Sequence, residues 1–180
     1  DEKVRSYMAI ALGNLGNHQA IQVLEEAVRT DTGDIPIYAI WALGTLQANE
    51  SIPLLTEAAQ NLDTSIRKAA LFVLGSLSNP ETIPTLQRAL EDVEIDVRWN
   101  SALALARMGD RSGLALITQL LDRGYFNQFP HMSFQGQSDA IINALRAIAV
   151  LKEYSLEASV EKLSRQDTSM QVRQIAHLVL

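Results

Sequence analysis

Apolar residues in this chain recur at three- and four-residue spacing, in runs that repeat along the sequence. One run opens at Val4-Arg5 and closes with Ala11-Leu12-Gly13-Asn14-Leu15-Gly16. Its counterparts open at Ile35-Pro36 and close Ala42-Leu43-Gly44-Thr45-Leu46, then open at Ile66-Arg67 and close Val73-Leu74-Gly75-Ser76-Leu77. A fourth opens at Val97-Arg98 and closes Ala104-Leu105-Ala106-Arg107-Met108-Gly109. The starts at 4, 35, 66 and 97 are each 31 residues apart. A second run follows each at matched spacing: Ile21 to Val28, Ile52 to Ala59, Ile83 to Leu90 and Leu114 to Leu121. This spacing belongs to one face of a helix rather than to a strand, so each period predicts two helices.

Turn and cap residues bracket the runs. Asp34, Ser65 and Asp96 stand just before the first helices, where a side-chain oxygen can accept from free backbone N–H groups. Asn79-Pro80 and Asp110 mark turns inside repeats, and Pro53 and Pro84 fall in first turns, where a missing N–H costs little. Gly13, Gly44 and Gly75 sit late in the first helices, although Gly there costs about 1 kcal/mol against Ala. Their recurrence predicts a close approach by the paired helix. One hairpin cannot hide its own apolar face, whereas stacked copies share a continuous core. The expected fold is therefore all-α, an α-α superhelix of about five to six helical hairpins.

The resemblance of this pattern to a known family is specific. Val-Arg, then Ala-Leu-Gly, then Leu-Gly resembles the short HEAT-like repeats associated with phycobilisome lyases, over nearly the whole chain outside one insertion. The resemblance implies a right-handed α-solenoid with first helices convex and second helices concave. It also implies a binding scaffold, because such repeats occur in assembly and scaffold proteins and in many bacterial proteins. A bilin lyase-like or chaperone role on a chromophore-bearing protein is the alternative it implies. The Thr-Pro-Leu-His signature of ankyrin repeats and the Trp/Tyr pattern of tetratricopeptide repeats are missing. HEAT-like deoxyhypusine hydroxylases hold iron through His-Glu dipeptides, but the three histidines here precede Gln19, Met132 and Leu178.

The chain reads as a single repeat domain, 1–180, with repeats starting near 4, 35, 66, 97, 139 and 172. Ala144 to Leu151 and Leu156 to Leu163 make a degenerate fifth copy, and Val172-Arg173 opens a sixth. An insertion lies near 124–137. The chain opens Asp1-Glu2-Lys3 and stops inside the apolar run Ile175 to Leu180. Both ends read as cuts from a longer chain, whose remainder is expected to pack on one or both ends.

Composition narrows the chemistry. Hydrophobic residues make up 47% and charged residues 20%, which argues for a packed core rather than disorder. Fifteen basic residues stand against 21 acidic ones, a net charge of −6. A phosphate-backbone binder needs clustered Lys and Arg, so no nucleic-acid partner is expected. Cysteine is absent, which removes disulfides and thiolate metal sites. No apolar run approaches the roughly 18 residues of a membrane span. There is no Gly-rich phosphate loop, no His pair at ligand spacing and no Ser nucleophile motif. No catalytic residue, metal or cofactor is expected, and a protein partner is.

Three sets of residues are candidates for holding that partner. The insertion carries Tyr125, Phe126, Phe129, His131 and Phe134, either as a binding loop or as a small core folded over the fifth repeat. A row on the first helices, Ile10, Trp41, Phe72 and Leu103 with Trp99 beside it, forms an exposed convex stripe if it faces outward and core if it faces the neighbouring repeat. Outward positions of the second helices, Gln22, Glu26, Glu57, Arg88 and Gln119, line the expected concave face. Arg5, Arg67, Arg98 and Arg173 recur at the second repeat position and read as a structural ladder with turn carboxylates such as Asp34 and Asp96, or as an anion site. The acidic loops Asp31 to Asp34 and Glu91 to Asp96 read as a solvated edge or as a face for a basic partner.

Overall fold

The computed structural model describes residues 2–180. Among them it builds α-helices and short 3-10 turns and no strand. The helices are α1 (Glu2–Asn14), α2 (Ile21–Thr30), α3 (Ile35–Thr45), α4 (Ile52–Ala58), α5 (Thr64–Leu77), α6 (Ile83–Arg88), α7 (Ile95–Arg107), α8 (Leu114–Leu120), α9 (Phe134–Leu151), α10 (Glu157–Gln166) and α11 (Met170–Val179). The fold is an all-α solenoid of helical hairpins. It divides into two compact units, Asp1–Ala104 and Leu105–Leu180, with the division inside α7.

Within the first unit, the first helices stack on one another, α1 on α3 and α3 on α5. Each second helix packs along the first helix that follows it, α2 on α3 and α4 on α5. Burial follows position. The sandwiched α3 hides Ile35, Pro36, Ala39, Ile40, Ala42, Leu43 and Gly44, which lie on most of its circumference. The outer α2 hides only Ile21, Leu24 and Ala27, one stripe at helical spacing. The second unit repeats the scheme, with α9 on α11, α8 on α9 and α10 on α11.

The glycines act between repeats. A Cβ on Gly13 would stand 2.9 Å from Cα of Ala42, and one on Gly44 would stand 2.8 Å from Cγ2 of Val73. The close neighbour is therefore the next first helix, not the paired second helix expected from sequence. The caps also differ. Asp34 makes no side-chain cap bond at α3, and Asp96 lies inside α7. The capping oxygens sit earlier: Asp63 accepts from the Ser65 N–H, and Asp92 from the Glu94 N–H. These are Asx turns, in which a short side chain bonds the backbone two residues on.

The first helices α1, α3, α5, α7 and α9 close on residues in the left-handed region: Gly16, Gln47, Ser78, Gly109 and Lys152. The first four are 31 residues apart and the fifth follows 43 on. The extra length forms a 3-10 segment, Arg123–Gln128, and an irregular stretch to Ser133. The degenerate first helix is longer than the sequence pattern predicts, because α9 begins at Phe134 and not near Ala144.

Candidate functional site

The recurrent arginines form the framework of the site. In the first unit, Arg5 Nη2 donates to Asp31 at 2.6 Å. Arg67 grips Asp92 with two bonds, Nε at 2.9 Å and Nη2 at 3.0 Å, and its Nη1 donates to the carbonyls of Asn61 and Leu62. Arg98 and Arg173 use Nη1 in the same way on Asp92 and Asp167 carbonyls six residues earlier. The ladder carboxylates are thus Asp31 and Asp92, which open the turns. Asp34 and Asp96, the expected partners, sit one helical turn too late, and Asp96 meets Lys68 instead. Burial alone would raise the Asp92 carboxyl. Hydrogen bonds from Arg67 and the Glu94 N–H, with the charges of Arg67 and Arg98, outweigh it and hold the group below its ordinary value.

The fifth repeat lacks its ladder arginine. Arg5, Arg67 and Arg98 each stand eleven residues before the left-handed residue closing their helix, and Ile141 stands there in α9. The matching carboxylate is nonetheless present: Asp167 follows Ile141 by the interval that separates Asp31 from Arg5. Arg123, at the start of the insertion, fills the gap. Its Nε and Nη2 meet the two Asp167 oxygens at 2.7 and 2.8 Å, its Nη2 also bonds Ser138 Oγ, and the Phe134 ring lies 4.5 Å from its central carbon. The Asp167 side chain is 1% exposed. Sequence reasoning missed this pair. The signal was there, in a ladder position occupied by Ile and an unassigned Arg forty-four residues before an unassigned Asp.

Each unit holds a groove whose base is one of these bidentate pairs. In the first unit a groove of about 650 Å³ runs between the ends of α4 and α6 over Arg67 and Asp92. An adjoining depression of about 590 Å³ shares Gln60, Asn61 and Leu62 and adds Glu57. In the second unit a groove of about 460 Å³ lies between α8 and α10, over Arg123 and Asp167, with Lys162 and Gln166 on its wall.

The expected second-helix residues Gln22, Glu26, Glu57, Arg88 and Gln119 are all exposed. Glu57 and Arg88 line the first-unit depressions. The first-helix row divides. Trp41 and Phe72 are each 41% exposed, with ring centroids 4.7 Å apart, and Ile10 is similarly open. Leu103 is half-buried and Trp99 is buried, so Trp99 is core and not part of an exposed stripe. The insertion divides too. Phe126 is buried beneath Tyr125, whose ring also meets Phe129 edge-on at 5.6 Å. That burial removes Phe126 from the binding candidates. His131 and Phe134 are exposed.

Among the described residues no group of three or more His, Asp or Glu converges as a metal-ligand set. No helix there is long and apolar enough to cross a membrane. The family model for HEAT repeats matches residues 1–67 and 59–126. The chain belongs to the HEAT-repeat family. No curated protein matches it in sequence. Among solved structures, this HEAT-repeat chain is similar to the complex of CpcE and CpcF of phycocyanin lyase from Nostoc sp. PCC7120, with a TM-score of 0.68 at 20% identity. That match covers 88% of this chain and spans 63% of the other. It is also similar to computationally designed armadillo repeat proteins for modular peptide recognition, with a TM-score of 0.53 at 18% identity, covering 99% of this chain and 93% of that one. An engineered protein matches with a TM-score of 0.56 at 17% identity over 100% of this chain and 90% of its own. At these identities the likeness is one of fold.

Proposed function

We propose that this HEAT-repeat chain is a non-catalytic scaffold that holds a protein partner along the outward sides of its second helices. The observation that carries the reading is the recurrence of one groove on one structural base. Arginine and a backbone N–H already engage the carboxylates of Asp92 and Asp167, so the floors are structural. The walls, with Gln60 and Arg88 in one unit and Lys162 and Gln166 in the other, are left to make contacts. Long polar side chains over a rigid floor suit the amides and mixed charges of a polypeptide. The fold shared with armadillo proteins designed for peptide recognition is consistent with that occupant. The exposed Trp41–Phe72 pair offers a second surface. Crosslinking the intact protein to its cellular partners is expected to place crosslinks on the second helices. Turnover of a small molecule, with no stable protein partner, would overturn the scaffold reading.

The likeness to the CpcE/CpcF complex favours one further reading, a lyase-like or chaperone role on a chromophore-bearing protein. Incubation with a bilin and an apo-antenna subunit distinguishes the two. A coloured covalent adduct supports the lyase-like role, and a stable complex without colour supports the scaffold.

A further inference from the structure

We infer that the first-unit groove takes a basic segment of polypeptide bearing aliphatic side chains. This rests on the scaffold reading and names its occupant. The groove's rims carry two aliphatic side chains pushed into solvent: Leu62 is 99% exposed and Val93 is 85% exposed. They stand 31 residues apart, each three residues before the position of Ser65 or Asp96, so they are the same repeat position in consecutive turns. Turns are ordinarily polar, and an aliphatic residue this open gains nothing from folding. Both line one depression. An apolar side chain of the occupant laid between them recovers that burial.

Charge then selects the rest of the occupant. Arg67 and Asp92 cancel at the floor. Of the remaining charged groups, Glu91 and Glu94 in the groove and Glu57 in the depression that adjoins it are negative, and Arg88 is positive. No basic side chain pairs with these three glutamates among the described residues. Two open carboxylates in the groove and a third beside it, against one guanidinium, leave this face negative, which repels a phosphate chain and attracts lysine or arginine.

Fluorescence anisotropy with the full chain tests this. The probe is a labelled peptide of about ten residues alternating Lys and Leu, compared with a Glu/Leu and a Lys/Ser peptide. The Lys/Leu peptide is expected to bind about tenfold tighter than either comparator. Its affinity should fall as salt rises from about 50 to about 200 mM, because exposed charges are screened. Replacing Glu57→Gln, Glu91→Gln and Glu94→Gln together should weaken binding about tenfold or more, at about two- to fivefold each. Leu62→Ser with Val93→Ser should do the same without changing the salt slope. These side chains are exposed, so the helical circular dichroism should not change, and Glu81→Gln, exposed in the 3-10 turn Pro80–Thr82, is the matched control outside the groove. Equal binding of the three peptides, or wild-type binding by the triple variant, overturns the inference. So does a natural partner whose crosslinks map only to Trp41 and Phe72, an outcome that keeps a protein-binding scaffold but moves its surface to the first helices.

Discussion

Replacing Arg123 with Ala removes the guanidinium that the fifth repeat borrows from the insertion. Asp167 would keep the Ser169 N–H as a donor but lose both arginine bonds, in a side chain that is 1% exposed. Breaking a buried pair from one side costs roughly 3–5 kcal/mol, because the remaining charge stays buried without its counterion. Arg123 is itself 22% exposed, which points to the lower end, about 3 kcal/mol. The lost Ser138 bond and Phe134 contact add roughly 0.5–1 kcal/mol. Arg5→Ala is the internal comparison. It breaks a single-contact pair in which Arg5 is 55% exposed and Asp31 10% exposed, so the expected cost is smaller, about 1 kcal/mol. Urea unfolding followed by circular dichroism measures both. Hydrogen exchange at the Ser169 and Val172 amides, which bond to Asp167 and Ser169, reads the local effect. Adding Asp167→Asn to Arg123→Ala removes the stranded charge and keeps an acceptor for the Ser169 N–H, and should recover more than half of the loss. If Arg123→Ala costs no more than Arg5→Ala, Arg123 is not the ladder residue of the fifth repeat.

Three further outcomes follow from the same geometry. The Asp92 carboxyl is held below its ordinary value in the folded chain, so its stabilisation is complete above the unfolded carboxylate range. It is lost as pH falls through about 4 towards the folded value. Arg67→Met should flatten that acid limb of a stability–pH curve, and an unchanged limb would refute the assignment. Gly13→Ala should destabilise by roughly 1–3 kcal/mol in thermal melts although Ala is the better helix former, because its Cβ meets the Ala42 backbone. A double-mutant cycle on Trp41→Ala and Phe72→Ala should give a coupling of about 1 kcal/mol from the tilted ring pair, and additive losses would show that the rings do not interact.

The period was legible because its cause is simple. A helix hidden on two sides needs apolar residues nearly all round, a helix hidden on one side needs a stripe, and the two alternate every 31 residues. Long-range pairing was less legible. Arg5, Arg67 and Arg98 repeat visibly, but several carboxylates crowd each turn, and choosing Asp92 over Asp96 requires knowing that α7 begins at Ile95. The glycines showed that something comes close and not what, since a small residue on a helix looks the same from either neighbour. Exposure of the Trp41 row depended on how far each first helix slides past the next, and periodicity carries no record of that. Trp99 shares the row's chemistry and is buried all the same.

The borrowed arginine also changes what the insertion is free to do. A ladder that accepts its guanidinium from a neighbouring loop needs a cation at Asp167 and not a particular helix to supply it. That requirement pins the first half of the insertion. Arg123 is held by Asp167 and Ser138, and Phe126 lies in the core under Tyr125. The second half carries less: Ser133 Oγ accepts from the Gly136 N–H and caps α9, but Pro130, His131 and Phe134 are exposed. Phe134 joins the halves, with one ring face against Arg123 and more than half of its surface open. Changes from Arg123 to Phe129, and at the cap Ser133, should therefore register in stability, and changes at Pro130 and His131 in binding. Substitutions confined to Pro130 and His131 that unfold the second unit would contradict this division.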